Sequence, residues 1–174
     1  MAQRSDADQL NLGFLQVTLT ASGYVGGLLV TNRQGRPLEF QCTTPVQPNR
    51  TQEILYGPTL KPFIYSELLG KTLFEKLAVK PGVVIVQQSS LLDLRPHVPC
   101  PVACILQPDE SVELADELRR QLGRQTVVVH AEHSDDLDAL NRVSQLIPND
   151  ADLIEPLERV GEALSETVRA GAVA

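Results

Sequence analysis

Three short runs of apolar, largely β-branched residues most constrain what this chain can fold into: Val83 to Val86, Val102 to Leu106 and Thr126 to Val129. A strand with one face in water alternates apolar and polar residues, whereas an unbroken apolar run suits a strand covered on both faces, usually among parallel neighbours. Covering both faces takes helices, so an α/β architecture is expected. At 174 residues the chain can bury about 70% of its unfolded surface in one domain, with neither disulfides nor a structural metal.

The residues before the first run read differently. Gly13 to Thr20 alternates Phe14, Gln16, Thr18 and Thr20 against Leu15, Val17 and Leu19, the period of a strand buried on one face. Tyr24 to Thr31 and Pro37 to Thr43, joined through Asn32-Arg33-Gln34-Gly35, read as strand, turn and strand. Gly26-Gly27 within the second strand predicts a bulge. Pro45 and Pro48 end the sheet, and Asn49-Arg50-Thr51-Gln52 has the form of an N-cap with a Gln reaching back from three positions on, opening a short helix through Tyr56. After Gly57-Pro58, the stripe of Leu60, Ile64, Leu68 and Leu77, with Phe63 and Phe74 beside it, marks a helix ending near Val79.

Beyond residue 80, strands alternate with helices. Asp109 precedes a helix expected to carry Val112, Ala115, Leu118 and Leu122 on one face, with Arg119 and Arg120 near its end and Gly123 beyond. Ser134 caps a second, with Asp135 and Asp136 in its first turn, Leu137, Leu140, Val143 and Ile147 on its face and Pro148 stopping it. A third carries Leu153, Leu157, Val160, Leu164 and Val168, with Pro156 near its first turn. The expected whole is a flexible N-terminus over residues 1–10 and a single mixed α/β domain over residues 11–174. Within that domain, residues 11–80 form a three-stranded antiparallel meander and helices, and residues 81–174 alternate strand and helix with parallel strands. In element order this resembles a ribonuclease H-like sheet, in which an antiparallel meander adjoins parallel strands. Nuclease chemistry on such a sheet uses carboxylates from central strands around two metals; the first strand here offers Gln16, Thr18 and Thr20 and the fourth Gln87 and Gln88. Neither supplies an acid.

The formal net charge of −7 disfavours nucleic-acid partners, because phosphate contacts need a dense Lys/Arg surface. The charge is divided unevenly: residues 1–80 hold 8 Lys and Arg against 6 Asp and Glu, and residues 81–174 hold 7 against 16. Pairing of a net +2 half with a net −9 half makes a homo-oligomer one expectation. No apolar run approaches the about 20 residues of a membrane span, and Met1 to Gln9 lacks a signal pattern, so a cytoplasmic protein without a membrane partner is expected. Cys42, Cys100 and Cys104 adjoin apolar sequence, as buried free thiols do. Gly23, Gly26 and Gly27 lie in a strand pattern with no Lys-Ser/Thr after them, so no phosphate loop and no cofactor are expected.

Open α/β sheets bind ligands outside the carboxyl ends of their parallel strands. Three such ends are expected to share one edge and form a polar, acidic rim that includes Gln88, Ser89, Asp109 and Glu132. Within it, His130 and His133 with Asp135 are candidate metal ligands, although they read more simply as loop histidines beside a helix start whose acids favour the macrodipole. A second candidate surface runs from Asn49 to Tyr65, where Arg50, Gln52, Tyr56 and Tyr65 combine polar tips with bodies of the kind enriched at interfaces. The functional expectation is a non-enzymatic binding or regulatory module for an unidentified protein partner or small ligand. Its rival is a small metal-dependent hydrolase using the histidine and acid rim.

Overall fold

The computed structural model describes residues 9–107 and 116–171. Seven strands, β1 (Asn11–Thr20), β2 (Gly23–Asn32), β3 (Pro37–Cys42), β4 (Val83–Val86), β5 (Val102–Ile105), β6 (Arg119–Leu122) and β7 (Gln125–Val128), form one sheet in the order β3-β2-β1-β4-β5-β7-β6. β1 pairs antiparallel with β2 along its whole length, and β2 with β3. On its other side β1 pairs in parallel with β4, Leu12 opposite Val83 and Phe14 opposite Ile85, and β4 pairs in parallel with β5. An antiparallel meander therefore adjoins parallel strands, as the order of elements implies.

The β3 to β4 connection holds α1 (Arg50–Tyr56), a 3-10 turn (Gly57–Thr59) and the helical run α2, which is α-helical over Leu60–Pro62, π-helical over Phe63–Lys71 and α-helical again over Thr72–Lys76. A 3-10 series over Ser89–His97 links β4 to β5, supplying the crossover that parallel neighbours require. The last two helices are α3 (Asp136–Leu146) and α4 (Ile154–Arg169).

The period-2 alternation of the strands divides the core in two. Leu12, Phe14, Val83, Ile85, Ala103 and Ile105 point to the face covered by α3 and α4, where Leu140, Leu157, Val160 and Leu164 meet them. Leu15, Val17, Val84, Val86, Val102 and Cys104 point to the opposite face, where Ile64, Leu69 and Leu73 of α2 and Leu91 and Leu94 of the crossover cover them. All four residues of β4 are 0% exposed, which explains why its sequence does not alternate.

Five expectations are corrected. The run Thr126 to Val129 is antiparallel to β5, because β7 is the second arm of a hairpin and not the end of a crossover. Residues 119–122, expected in a helix, are its first arm; the rest of that expected helix, Asp109, Val112 and Ala115 included, falls largely outside the described residues. Leu118 and Leu122 are both buried, and a spacing of four satisfies the strand period as well as one helical turn. Gly123, expected as a helix C-cap, is instead the first residue of the Gly123-Arg124 turn, with φ of 57°; a positive φ at that position alone matches a type II′ hairpin.

Gly26-Gly27 makes no bulge; the irregularity in β2 falls between Val30 and Thr31. The two glycines instead admit both helical layers. A Cβ on Gly26 would stand 3.0 Å from Leu73 Cδ1, and one on Gly27 would stand 3.0 Å from Leu164 Cδ2 and Val160 Cγ1. Finally, Leu68 is 40% exposed while Leu69 is 1% exposed. The π-helical stretch repeats its contacts at i+5 rather than i+4, so Ile64 is followed into the core by Leu69.

One carboxylate ties the edge of the sheet to the end of α2. Glu39 on β3 accepts from the amides of Ala78 at 3.0 Å and Val79 at 2.8 Å and from Gln41 Nε2 at 3.0 Å. The Gln41 hydrogen bond first, then those from Val79 and Ala78, hold its pKa below the ordinary carboxylate value. A group whose folded pKa is depressed adds stability above its unfolded pKa and loses it as the pH falls through the folded value. Glu39→Gln is therefore expected to lower the melting temperature at pH 7, with the difference from wild type closing as the pH is lowered below 4.5; thermal melts across pH 3 to 7 check this.

Candidate functional site

The reversal of β7 splits the expected rim. β1, β4 and β5 end on one edge of the sheet, whereas antiparallel β7 delivers His130 and the residues after it to the other. Gln88 and Ser89 thus lie at the opposite edge from Glu132, and Asp109 is outside the described residues. On the first edge Gln88 is a clamp: its Oε1 accepts from the Val17 amide at 2.9 Å and its Nε2 donates to the Val17 carbonyl at 2.9 Å. The side chain continues the β1–β4 ladder beyond the last residue of β4. Ser89 joins Gln16, Gln87, Gln107 and Lys61 around an adjacent recess of about 320 Å³.

On the second edge the two histidines do meet, ring centroids 5.3 Å apart and edge to face at 70°. His130 Nδ1 accepts from the Glu132 amide at 3.2 Å, leaving only Nε2, which lies 3.8 Å from Oδ1 of Asp93. Asp135 is the N-cap of α3 and makes no capping hydrogen bond with its side chain. Among the described residues no three His, Cys, Asp or Glu side chains gather as a metal cage would.

Asp136, expected to serve the helix macrodipole, is buried and grips Arg95 through two bonds, Nε to Oδ2 at 2.6 Å and Nη2 to Oδ1 at 3.1 Å. Arg95 Nη1 also donates to the Val98 carbonyl at 3.0 Å. The Asp136 hydrogen bond raises the Arg95 pKa above its usual value, and because an arginine guanidinium keeps its proton even without a partner, it cannot escape an unpaired state by losing its charge. Removing one partner of a buried pair strands the other charge: Asp136→Ala is expected to cost about 3 kcal/mol in chemical denaturation, with the denaturant slope unchanged.

The cysteines also serve packing. Cys100 is 7% exposed and Cys104 2% exposed, and burial pushes the Cys100 thiol up to about 11. A thiol that keeps its proton is a poor nucleophile. A maleimide at pH 7.5 is expected to modify Cys42, the half-buried one, while Cys100 and Cys104 react only after unfolding; peptide mapping checks the order.

The second candidate surface has a different geometry from the one expected. Asn49 caps α1 with a full capping box: its Oδ1 accepts from the Gln52 amide at 2.8 Å and Gln52 Oε1 accepts from the Asn49 amide at 3.0 Å. Gln52 is therefore spent on the helix. Tyr65 is withdrawn from the surface, 5% exposed, with its ring edge-on to Tyr24 at 5.7 Å and its pKa raised by burial. Arg50 and Tyr56 remain outside. The residues that sequence reasoning missed are Ile54 and Leu55, 65% and 78% exposed. In a helix of 7 residues with no residue buried, two apolar neighbours make no stripe long enough to register as amphipathic. The usable signal was their position one residue short of the Gly57-Pro58 break, beside Tyr56.

At the foot of α1, Tyr56 stacks on Phe63 with ring centroids 4.8 Å apart. Both rings line a groove of about 530 Å³ that continues past Pro58 and Pro62 to Pro96 and His97 of the crossover. Glu67 and Asp93 stand in it, and among the described residues its lining holds no Lys or Arg. His97 Nε2 lies 3.7 Å from Oε1 of Glu67. A projecting apolar helix and an apolar recess edged with carboxylates thus adjoin on one face.

No model of a known protein family matches this chain, and no curated protein is similar to it. Among the described residues no helix is long and apolar enough to cross a membrane.

Proposed function

We propose that this protein is a non-enzymatic binding module whose working surface is α1 together with the groove at its foot. The observation that carries this reading is that α1 buries none of its residues while presenting Ile54 and Leu55 to solvent. An isolated helix shorter than about 12 residues is marginal in water even when well capped. An exposed apolar cluster on such an element marks a contact site, and a partner that covered it would supply the packing that α1 lacks. The chemistry suited to that cover is a protein surface offering an apolar recess with carboxylates at its rim, to receive Leu55 and the Arg50 guanidinium.

What supports binding over catalysis is the employment of the polar groups that the sequence singled out. Gln52 caps a helix, Gln88 extends a ladder, Asp136 holds Arg95 and Cys100 keeps its proton. Each has a structural task that a reacting group would have to abandon.

A photoreactive amino acid placed at position 55 in cells of the protein's source tests the reading, with position 162 on α4 as the control. A discrete protein adduct is expected at position 55 but not at 162, and Arg50→Glu is expected to abolish it. No adduct at 55, or one that Arg50→Glu leaves intact, would sink the proposal.

A further inference from the structure

From the same surface, and resting on the reading just given, we infer that the occupant of the groove is α1 of a second copy of this chain, in a two-fold symmetric pair. A foreign partner has to supply both a recess for the projecting helix and a knob for the groove. This chain already carries both, side by side, with Tyr56 belonging to each. A two-fold interface is isologous: whatever residue i of one copy does to residue j of the other, j does back to i. Placing the axis beside the Tyr56–Phe63 stack seats Leu55 of each copy in the other's groove and brings the two stacks together at the centre.

The charges agree with that arrangement. Among the described residues Arg50, with a side chain 82% exposed, is held only by the surface carboxylate of Glu53 at 3.2 Å, a contact worth little in water. The groove presents Glu67 and Asp93, with side chains 48% and 56% exposed, and contributes no cation of its own except through its histidine. Seating α1 in the partner's groove brings Arg50, with its helix neighbour Glu53, to two further carboxylates at the rim of an apolar contact where screening is weaker. Within one copy α1 cannot reach this position, because Tyr56 at its end is itself a wall of the groove.

The size of the patch sets the strength. Seven residues in α1 and nine more around the groove fall short of the roughly 20–30 residues that a standard interface uses on each side. A reversible dimer with a dissociation constant in the micromolar range is the consequence, not an obligate one.

Sedimentation velocity of the full chain from 1 to 300 μM tests the inference, supported by melting temperatures that show every variant folded. Wild type is expected to pass from monomer to dimer within that range. Leu55→Glu is expected to stay monomeric throughout, with a melting temperature unchanged at 1 μM, where wild type is itself monomeric and dimer formation adds no stability, since Leu55 is 78% exposed in the single copy. Arg50→Glu alone, and Glu67→Arg with Asp93→Arg together, are each expected to weaken self-association at least tenfold. Mixing those two chains restores opposite charges at both ends of the interface, so the mixture is expected to dimerise within threefold of wild type. A wild type that remains monomeric at 300 μM overturns the second-copy occupant; if the position-55 adduct still forms with a different protein, the binding-module reading survives that loss. A dimer that ignores Leu55→Glu, or that the mixed pair fails to restore, places the contact elsewhere and overturns the inference outright. A melting temperature for Leu55→Glu lower than that of wild type at 1 μM, where both are monomeric, would show α1 packed on its own body and remove both proposals.

Discussion

Parallel pairing of β1 with β4 is the contact on which the rest of the molecule depends. It joins the meander to the second half of the chain through three matched pairs, Leu12 with Val83, Gly13 with Val84 and Phe14 with Ile85, and Gln88 lengthens it by answering both backbone groups of Val17. Parallel neighbours cannot be joined by a tight turn, so the chain must travel from the end of β3 back to the start of β4. That journey builds α2, and α2 covers one face of the sheet. The other face is closed by α3 and α4, and two adjacent glycines in β2 let both layers approach within contact distance.

The crossover is longer than cover for the sheet requires. α2 alone contributes the buried Ile64, Leu69, Leu73 and Phe74, whereas α1 contributes nothing to the core. What remains is a capped helix with apolar side chains and no place in the fold that made it. Its groove, by contrast, arises where α2 passes the 3-10 crossover, two segments placed by the same central pairing. Helix and recess are therefore products of one connection, and that common origin leaves them adjacent on one face.

Much of the fold was legible from local pattern. The turn after Asn32, the capping box at Asn49 and the apolar face of α4 each depend on residues close in sequence, and each formed where pattern placed it; β1, expected to be buried on one face, is instead covered on both, with Phe14 1% and Leu15 0% exposed, and its apolar alternation stops short of Leu19, 64% exposed. The misreadings share a cause. Leu118 and Leu122 fit two periods at once, Ile64 to Leu68 assumes a regular helical turn, and the carboxyl end of Thr126 to Val129 assumes a strand direction. Period says how a strand is buried, not which way it runs. Splitting the histidines from Gln88 and Ser89 followed from that one reversal, so the site that sequence assembled on a single edge does not exist as a unit. The α1 surface was legible only as a stretch of promising residue types: Arg50 and Tyr56 stayed outside, Gln52 and Tyr65 did not.

By itself, then, the sequence determined the mixed α/β class, the meander, the two-sided burial of the central strands and the helices whose caps and apolar faces are written locally. Tertiary structure alone decided the direction of β7, the employment of Asp136 and Gln88, and the exposure of Ile54 and Leu55. The physical reason is the range of the interactions. Capping and periodic burial are set within a few residues, whereas strand direction, long-range hydrogen bonds and the absence of anything opposite a helix depend on where distant segments come to rest.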